Sequence, residues 1–188
     1  MVRCSWHGYA IEVPDQRLPA DSFEYLALPL CDQLYNFAHW LTQDRSEAED
    51  LVQETFVKAL RGFSGFQAGT NFRAWIFRIL RNTFLTSRTG LKLSQEEAEL
   101  DSIIAADPSP EAILISKADR GVVRQAMQEL PVPFREILLL CEVEEMGYEE
   151  IAQVLAIPIG TVMSRLHRAR KALRAKLIDR IKGGSHGM

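Results

Sequence analysis

Five side chains in the stretch "IPIGTVMSRLHRARKAL", residues 157–173, stand on or beside one face and could do chemistry on a polyanion: Thr161, Ser164, Arg165, Arg168 and Lys171. Arginine can bond bidentately to a guanine edge, while hydroxyls and a helix N-terminus can hold phosphate oxygens. From Ile151 to Ile178 there is no Asp or Glu, yet Arg165, Arg168, Arg170, Lys171, Arg174 and Lys176 crowd together. A solvated helix exterior ordinarily mixes signs, so this run favours nucleic-acid binding over mere solvation. At 100° per residue Val162, Leu166, Ala169 and Leu173 share one face. Thr161, Ser164, Arg168 and Lys171 share another, with Arg165 at its edge. Ile151 and Leu155 lie one turn apart just upstream, and Ala156-Ile157-Pro158 makes a short turn between the two helices. The pattern is that of a helix-turn-helix whose second helix suits a DNA major groove, with Tyr148 opening the first.

A second constellation stands earlier in the chain. Between Thr55 and Gln95 there is again no acid, and seven basic residues occur: Lys58, Arg61, Arg73, Arg78, Arg81, Arg88 and Lys92. Phe56, Phe63, Phe66, Phe72, Trp75, Phe77 and Phe84 interleave with them. Cations track a phosphate backbone and aromatic faces stack on unpaired bases. The glycine-bearing loop "FSGFQAGTN" could close around a base drawn out of the duplex. Aromatics at helical spacing are more often core, and Phe56, Trp75 and Phe77 are expected there; Phe66, in the loop, is harder to explain so. Just upstream, "DRSEAEDLVQETF" sets Asp44, Glu47, Glu49, Asp50 and Glu54 against Arg45 alone. Acid near a helix N-terminus is favoured by the macrodipole, which accounts for Glu47, Glu49 and Asp50 but not Glu54. A protein-binding face is the sharper reading.

Other chemistries find little support. His7, His39, His167 and His186 do not cluster with carboxylates at ligand spacing, and no phosphate loop, nucleophile or paired acid stands out. An enzyme is therefore not expected. Cys4 and His7 form a lone Cys-x-x-His with no second pair, so no metal or cofactor is expected either. Cys4, Cys31 and Cys141 are odd in number and far apart, which argues against a disulfide framework and for a reduced, cytoplasmic setting. No apolar run approaches the length of a membrane span. Net charge of −3 would not suggest nucleic acid; only its distribution does.

The elements that must carry these residues read as all-α. Residues 1–20 lack periodicity and read as a loose extension. A stripe at Leu30, Leu34, Phe37, Ala38 and Leu41 marks one helix. Ser46 with Glu49 three residues on is a capping-box pattern for a second, continuing through Leu51, Val52, Thr55, Phe56, Ala59 and Leu60. Phe72–Ser87 forms a third. "SQEEAELDSIIAADPSPE", residues 94–111, has six acids, two prolines and no Lys or Arg, and reads as a flexible acidic linker. Helices over 112–130 (ended by Pro131 and Pro133), over "FREILLLCEVEEMG" (ended by Gly147), over 148–156 and over 159–180 follow, with a tail at 183–188. Two small helical domains, 21–93 and 112–182, are thus expected.

In order and spacing, "AEDLVQETFVKAL", "FRAWIFRILRNTFLTSR" and "YEEIAQVLAIPIGTVMSRLHRARKAL" resemble bacterial RNA polymerase sigma factors of the extracytoplasmic-function class, over roughly residues 25–92 and 120–178. "PIGTVMSRLHR" and "DQLYNFAHWLTQDRSEAEDLVQETFVKAL" are similar to the subgroup that responds to thiol oxidation. The resemblance implies a region 2-like bundle and a region 4-like helix-turn-helix. Glu49, Asp50, Leu51, Gln53, Glu54 and Phe56 match the segment that docks on the polymerase β′ clamp helices. Phe63, Ser64, Phe66, Gln67 and Asn71, with Trp75, Arg78 and Asn82, match the part that melts and reads the −10 element. Thr161, Ser164, Arg165, His167, Arg168 and Lys171 match the −35 reader, and Tyr148 and Glu149 the approach to its backbone. Many family members carry Lys or Arg where Met163 stands, so one DNA contact is expected to be missing. The implied partners are core polymerase, through the β′ clamp helices and the β flap, promoter DNA, and an anti-sigma factor wrapped between the domains. A conventional regulator that binds an operator without polymerase is the alternative; a sensor domain, however, has no use for the basic-aromatic run.

Overall fold

The computed structural model describes residues 3–6, 9–12, 22–88 and 120–184, with side chains over 22–88 and 121–181. The acidic linker 94–111, residues 112–119 of the helix expected from 112, and His7 lie outside these residues. The chain divides into two compact units, and the helices of residues 22–88 and of 120–184 are taken in turn. The regular elements of both are helices, as the periodicity indicates. In the extension read as a loose arm, β1 (Arg3–Trp6) and β2 (Tyr9–Glu12) pair antiparallel, with Arg3 opposite Glu12 and Trp6 opposite Tyr9. Two short runs with aromatic and β-branched residues, separated by two residues including a glycine, are a hairpin signal that helical periodicity does not detect.

In the first unit α1 (Phe23–Ala27) is capped by Ser22, whose hydroxyl oxygen accepts from the Tyr25 N–H at 3.3 Å. A 3-10 turn, Leu28–Leu30, leads into α2 (Cys31–Thr42), which ends at Gln43 in the left-handed region, φ 61°. Next come α3 (Arg45–Gly62) and, after a loop, α4 (Phe72–Ser87). The cap of α3 is Asp44, not Ser46. The Asp44 carboxylate accepts from the Glu47 N–H at 2.8 Å, while Ser46 lies exposed in the first turn. Aspartate in extended backbone satisfies an orphan N–H and complements the dipole together, which displaces the serine from the role.

Helices α2, α3 and α4 pack on one another in a bundle. Leu34, Phe37, Ala38 and Leu41 meet Ala48, Leu51, Val52 and Ala59 and the Phe72, Ile76, Phe77, Leu80 and Phe84 face of α4, all buried. Phe37 and Phe77 sit 5.4 Å apart between centroids. Each such ring, fully buried, contributes about 2–3 kcal/mol. Thr55 is buried in α3 because its hydroxyl donates to the Leu51 carbonyl at 2.7 Å. Leu60, expected in the buried stripe, is exposed. It lies about 120° round the helix from the Ala48–Val52–Thr55–Ala59 ridge.

The second unit opens with α5 (Arg120–Gln128), then α6 (Val132–Leu138), which widens into a π turn over Leu139–Val143. The prolines do not simply end the first of these helices. Pro131 is the N-cap residue of α6 and Pro133 lies in its first turn, where a missing N–H costs nothing. The turn between α5 and α6 is held by Arg135. Its buried guanidinium donates to the carbonyls of Met127 (3.2 Å), Gln128 (2.7 Å) and Leu130 (2.9 Å), capping the end of α5. Phe134 through Leu140 are all buried, so α6 is the central helix, enclosed on all sides. It ends before Gly147: Glu144 N–H bonds to Leu139 and Glu145 takes φ 53°. Gly147 instead starts α7 (Tyr148–Leu155), its N–H donating to the Glu150 carboxylate at 3.0 Å in the back-bond of a capping box. α8 (Ile159–Gly184) packs on α5 and α6.

Candidate nucleic-acid interface

The turn between α7 and α8 is built on Ala156, in the left-handed region at φ 54°, with Ile157 N–H bonded to the Ala152 carbonyl at 3.2 Å. This is a Schellman closure made by alanine where glycine is usual. Pro158 then starts α8, its carbonyl accepting from the N–H groups of Thr161 (2.9 Å) and Val162 (3.1 Å). Val162, Leu166 and Ala169 are buried, as their shared face requires. Opposite them Gly160, Met163, Ser164 and His167 are exposed, while Thr161, Arg168 and Lys171 are half-buried and Tyr148 is exposed on α7.

Arg165 departs from the expectation of a DNA-facing residue. It is only 9% exposed, and its Nη1 lies 3.9 Å from Oε1 of the buried Glu136 on α6. At the border of the two faces its long side chain turns inward, because a carboxylate buried in α6 needs a cation. The acid-free run is likewise less basic than it reads. Arg170 donates to Glu142 at 2.6 and 2.9 Å, and Lys176 pairs with Glu129 at 3.4 Å, beside Arg180 on the same carboxylate. Three of the six cations are thus held by acids from other helices. The Glu142 carboxylate keeps Arg170 above the ordinary guanidinium range, and the Arg180 hydrogen bond keeps Glu129 below the ordinary carboxylate range. Burial, reinforced by Glu142, pushes the neighbouring Cys141 thiol up, which disfavours a reactive thiolate at neutral pH.

In the first unit the loop after α3 opens with a 3-10 turn, Phe63–Gly65. Phe63 and Phe66 stack almost parallel, 5.9 Å between centroids. Phe66 also meets Phe72 edge-on at 5.3 Å and Trp75 at 5.2 Å, and Phe63 meets Phe23 at 5.5 Å. Phe66 is therefore part of a half-exposed aromatic cluster rather than a lone loop ring. Phe77 is core as expected; Phe56 and Trp75 are only half-buried. Ser64 and Gln67 are exposed beside the cluster, and Gly69 makes the turn at φ 87°. Asn71 spends its carbonyl oxygen capping α4, accepting from Ala74 N–H at 3.0 Å. Trp75, Arg78 and Asn82, at i, i+3 and i+7, fall on one face of α4, the latter two exposed. Arg73 and Lys58 of the run have structural work: Arg73 bonds Gln33 at 3.1 Å and lies over the Phe77 ring, and Lys58 pairs with Glu54 at 2.7 Å.

On α3 the six residues expected at a protein-binding face separate. Asp50, Gln53 and Glu54 are exposed, Glu49 is half-buried and bonded to Arg45, Leu51 is buried, and Phe56 packs edge-on against Phe23. Leu51 and Phe56 thus hold the bundle together. The outward strip instead includes Val57 (48% exposed), to which the sequence pattern gives no role, and Leu60 (55%), which that pattern places in the buried stripe. Their positions on the helical wheel, beside Gln53 and Asp50, were the available signal. Among the described residues no three His, Cys, Asp or Glu gather as metal ligands, and no helix is long and apolar enough to cross a membrane.

Residues 30–92 match the family description "Sigma-70 region 2" and residues 120–173 match "Sigma-70, region 4". The chain is 36% identical over 156 residues to the ECF RNA polymerase sigma factor SigE of Mycolicibacterium smegmatis, covering 81% of this chain but 60% of that relative's length. It is 33% identical to the RNA polymerase sigma-H factor of Pseudomonas aeruginosa, covering 84% of this chain and 87% of that one. Among solved structures it resembles the sigma factor RpoE of Bartonella quintana, crystallised with the anti-sigma factor NepR. There the TM-score is 0.63 at 30% identity, over 85% of this chain and 98% of that one.

Proposed function

This chain belongs to the extracytoplasmic-function class of the sigma-70 family, and from that premise we propose that it directs core RNA polymerase to −35 and −10 promoter elements in the cytoplasm. The observation that carries the proposal is one chain presenting two nucleic-acid faces of different chemistry, an aromatic loop and a helix-turn-helix. In this reading residues 21–93 bind polymerase and open the −10 element, and residues 112–182 hold the −35 element and the β flap. Phe63, Ser64, Phe66 and Gln67, with Trp75, Arg78 and Asn82, receive the unpaired strand. Thr161, Ser164, His167, Arg168 and Lys171 meet the −35 duplex, and Tyr148 its backbone. The β′ clamp helices are met by Asp50, Gln53 and Glu54 with Val57 and Leu60, a strip that is apolar at its centre and acidic along its edge. An anti-sigma factor holds the protein inactive by covering both faces; membership of the thiol-oxidation subgroup is supported by "PIGTVMSRLHR" and "DQLYNFAHWLTQDRSEAEDLVQETFVKAL".

Run-off transcription on a promoter library tests the proposal. Transcripts are expected only when purified chain and core polymerase are combined. Val57→Asp with Leu60→Asp is expected to abolish them while leaving thermal unfolding unchanged, since both positions are exposed. Tight, polymerase-independent binding of a palindromic operator by a dimer of the chain would instead mark a conventional regulator.

A further inference from the structure

We infer that Met163 reads a thymine methyl group in the −35 element. The inference rests on α8 being the −35 helix and concerns which chemistry its tip offers to the bases. Residues near the N-terminus of a recognition helix are those that reach base edges. From its start to His167, α8 exposes Ile159, Gly160, Met163, Ser164 and His167, and no Lys or Arg. Arg165 is turned away into the Glu136 pair, so the first cation on the outward side is Arg168, in the third turn. Base reading at the tip therefore falls to a hydroxyl, an imidazole and a thioether.

Of these the thioether is the apolar one. Met163 is 52% exposed and Ile159, one turn earlier, 41%, together an apolar edge beside the polar centre of the face. Gly160, next to Met163 on the wheel, carries no side chain, and the space its Cβ would take is open, so the groove floor can come close to this edge. The major groove presents one apolar group, the C5 methyl of thymine. Methionine is unbranched and polarisable, able to lay its methyl and sulfur against such a group from a range of approach angles. The Ser164 hydroxyl donates back to the Thr161 carbonyl at 3.1 Å and leaves only its lone pairs for the DNA, so it does not compete for the methyl.

The test uses holoenzyme assembled from the full chain and core polymerase. A −35 element is selected from a randomised library, and each thymine in it is replaced in turn by deoxyuracil, which removes the methyl and keeps every hydrogen-bonding group. At one thymine the replacement is expected to weaken binding about fourfold, the worth of one buried methyl-sized group. Met163→Gln is expected to bind the methylated element about fourfold more weakly and to ignore the replacement, while Met163→Leu keeps the sensitivity. Equal loss on methyl removal in the parent chain and in Met163→Gln overturns the inference, as does an element in which no thymine methyl matters. A library that yields no −35 element overturns the parent reading and this inference together, so the two failures are distinct. Unchanged thermal unfolding of both variants assigns the effects to contact rather than to folding.

Discussion

The two candidate nucleic-acid surfaces, one in each unit, are assembled in opposite ways. In the first, the candidate surface is made of side chains that also hold the fold together. Phe63, Phe66, Phe72 and Trp75 lean on one another, and Phe72 reaches the core. In the second, the exposed tip of α8 supports nothing, while the cations around it are divided between structure and surface. The first kind of surface cannot be altered without loosening the loop that carries it. The second separates function from stability residue by residue, and neighbouring arginines come to have unrelated jobs.

That separation gives the largest expected effect. Arg165→Ala removes a cation that faces the buried Glu136 and is expected to cost about 3 kcal/mol of stability, read as a lower denaturation midpoint of the second unit. Arg168→Ala is expected to leave the midpoint unchanged and weaken promoter binding by about 1–3 kcal/mol, confined to one base pair if it reads a base and uniform if it holds a phosphate. Equal midpoints for the two variants would erase the distinction. In the first unit Phe66→Ala is expected to lower open-complex formation about tenfold in permanganate reactivity while closed-complex binding holds. Unlike Arg168→Ala, it should also lower the unit's melting temperature. The smallest effect is expected at the turn before α8: Ala156→Gly relieves the left-handed strain and should stabilise by about 0.5–1 kcal/mol in thermal unfolding.

The periodicity of apolar residues announces the helices, the two units and the buried side of α8, because burial of one stripe is what makes a surface helix. It is least informative at stripe borders, and the misplacements occur there. Arg165 and Leu60 sit where a few tens of degrees decide between inside and outside. For Arg165 the decision belongs to Glu136, 29 positions earlier and on another helix. Asp44 outranks Ser46 as a cap through backbone geometry that composition does not express. Ala156 occupies a conformation that its residue type argues against, imposed by the closure of α7. The Arg135 clamp on α5 was equally hidden, since three carbonyls carry no sequence signature. At the candidate site the residue types were legible, but how many of the charges remain available was not.

The internal ion pairs also set how this helix responds to electrolyte. Each cation that neutralises a phosphate displaces condensed counterions, and the logarithm of affinity falls with that of salt concentration by about 0.9 per contact. With Arg165, Arg170 and Lys176 held by protein carboxylates, at most three of the six cations in the run remain for phosphates. Their contribution to the slope is then no steeper than about −2.7. On the proposed reading, this run is a weak polyelectrolyte partner for a duplex, drawing little on mobile ions and leaving correspondingly more of the binding to the groove floor.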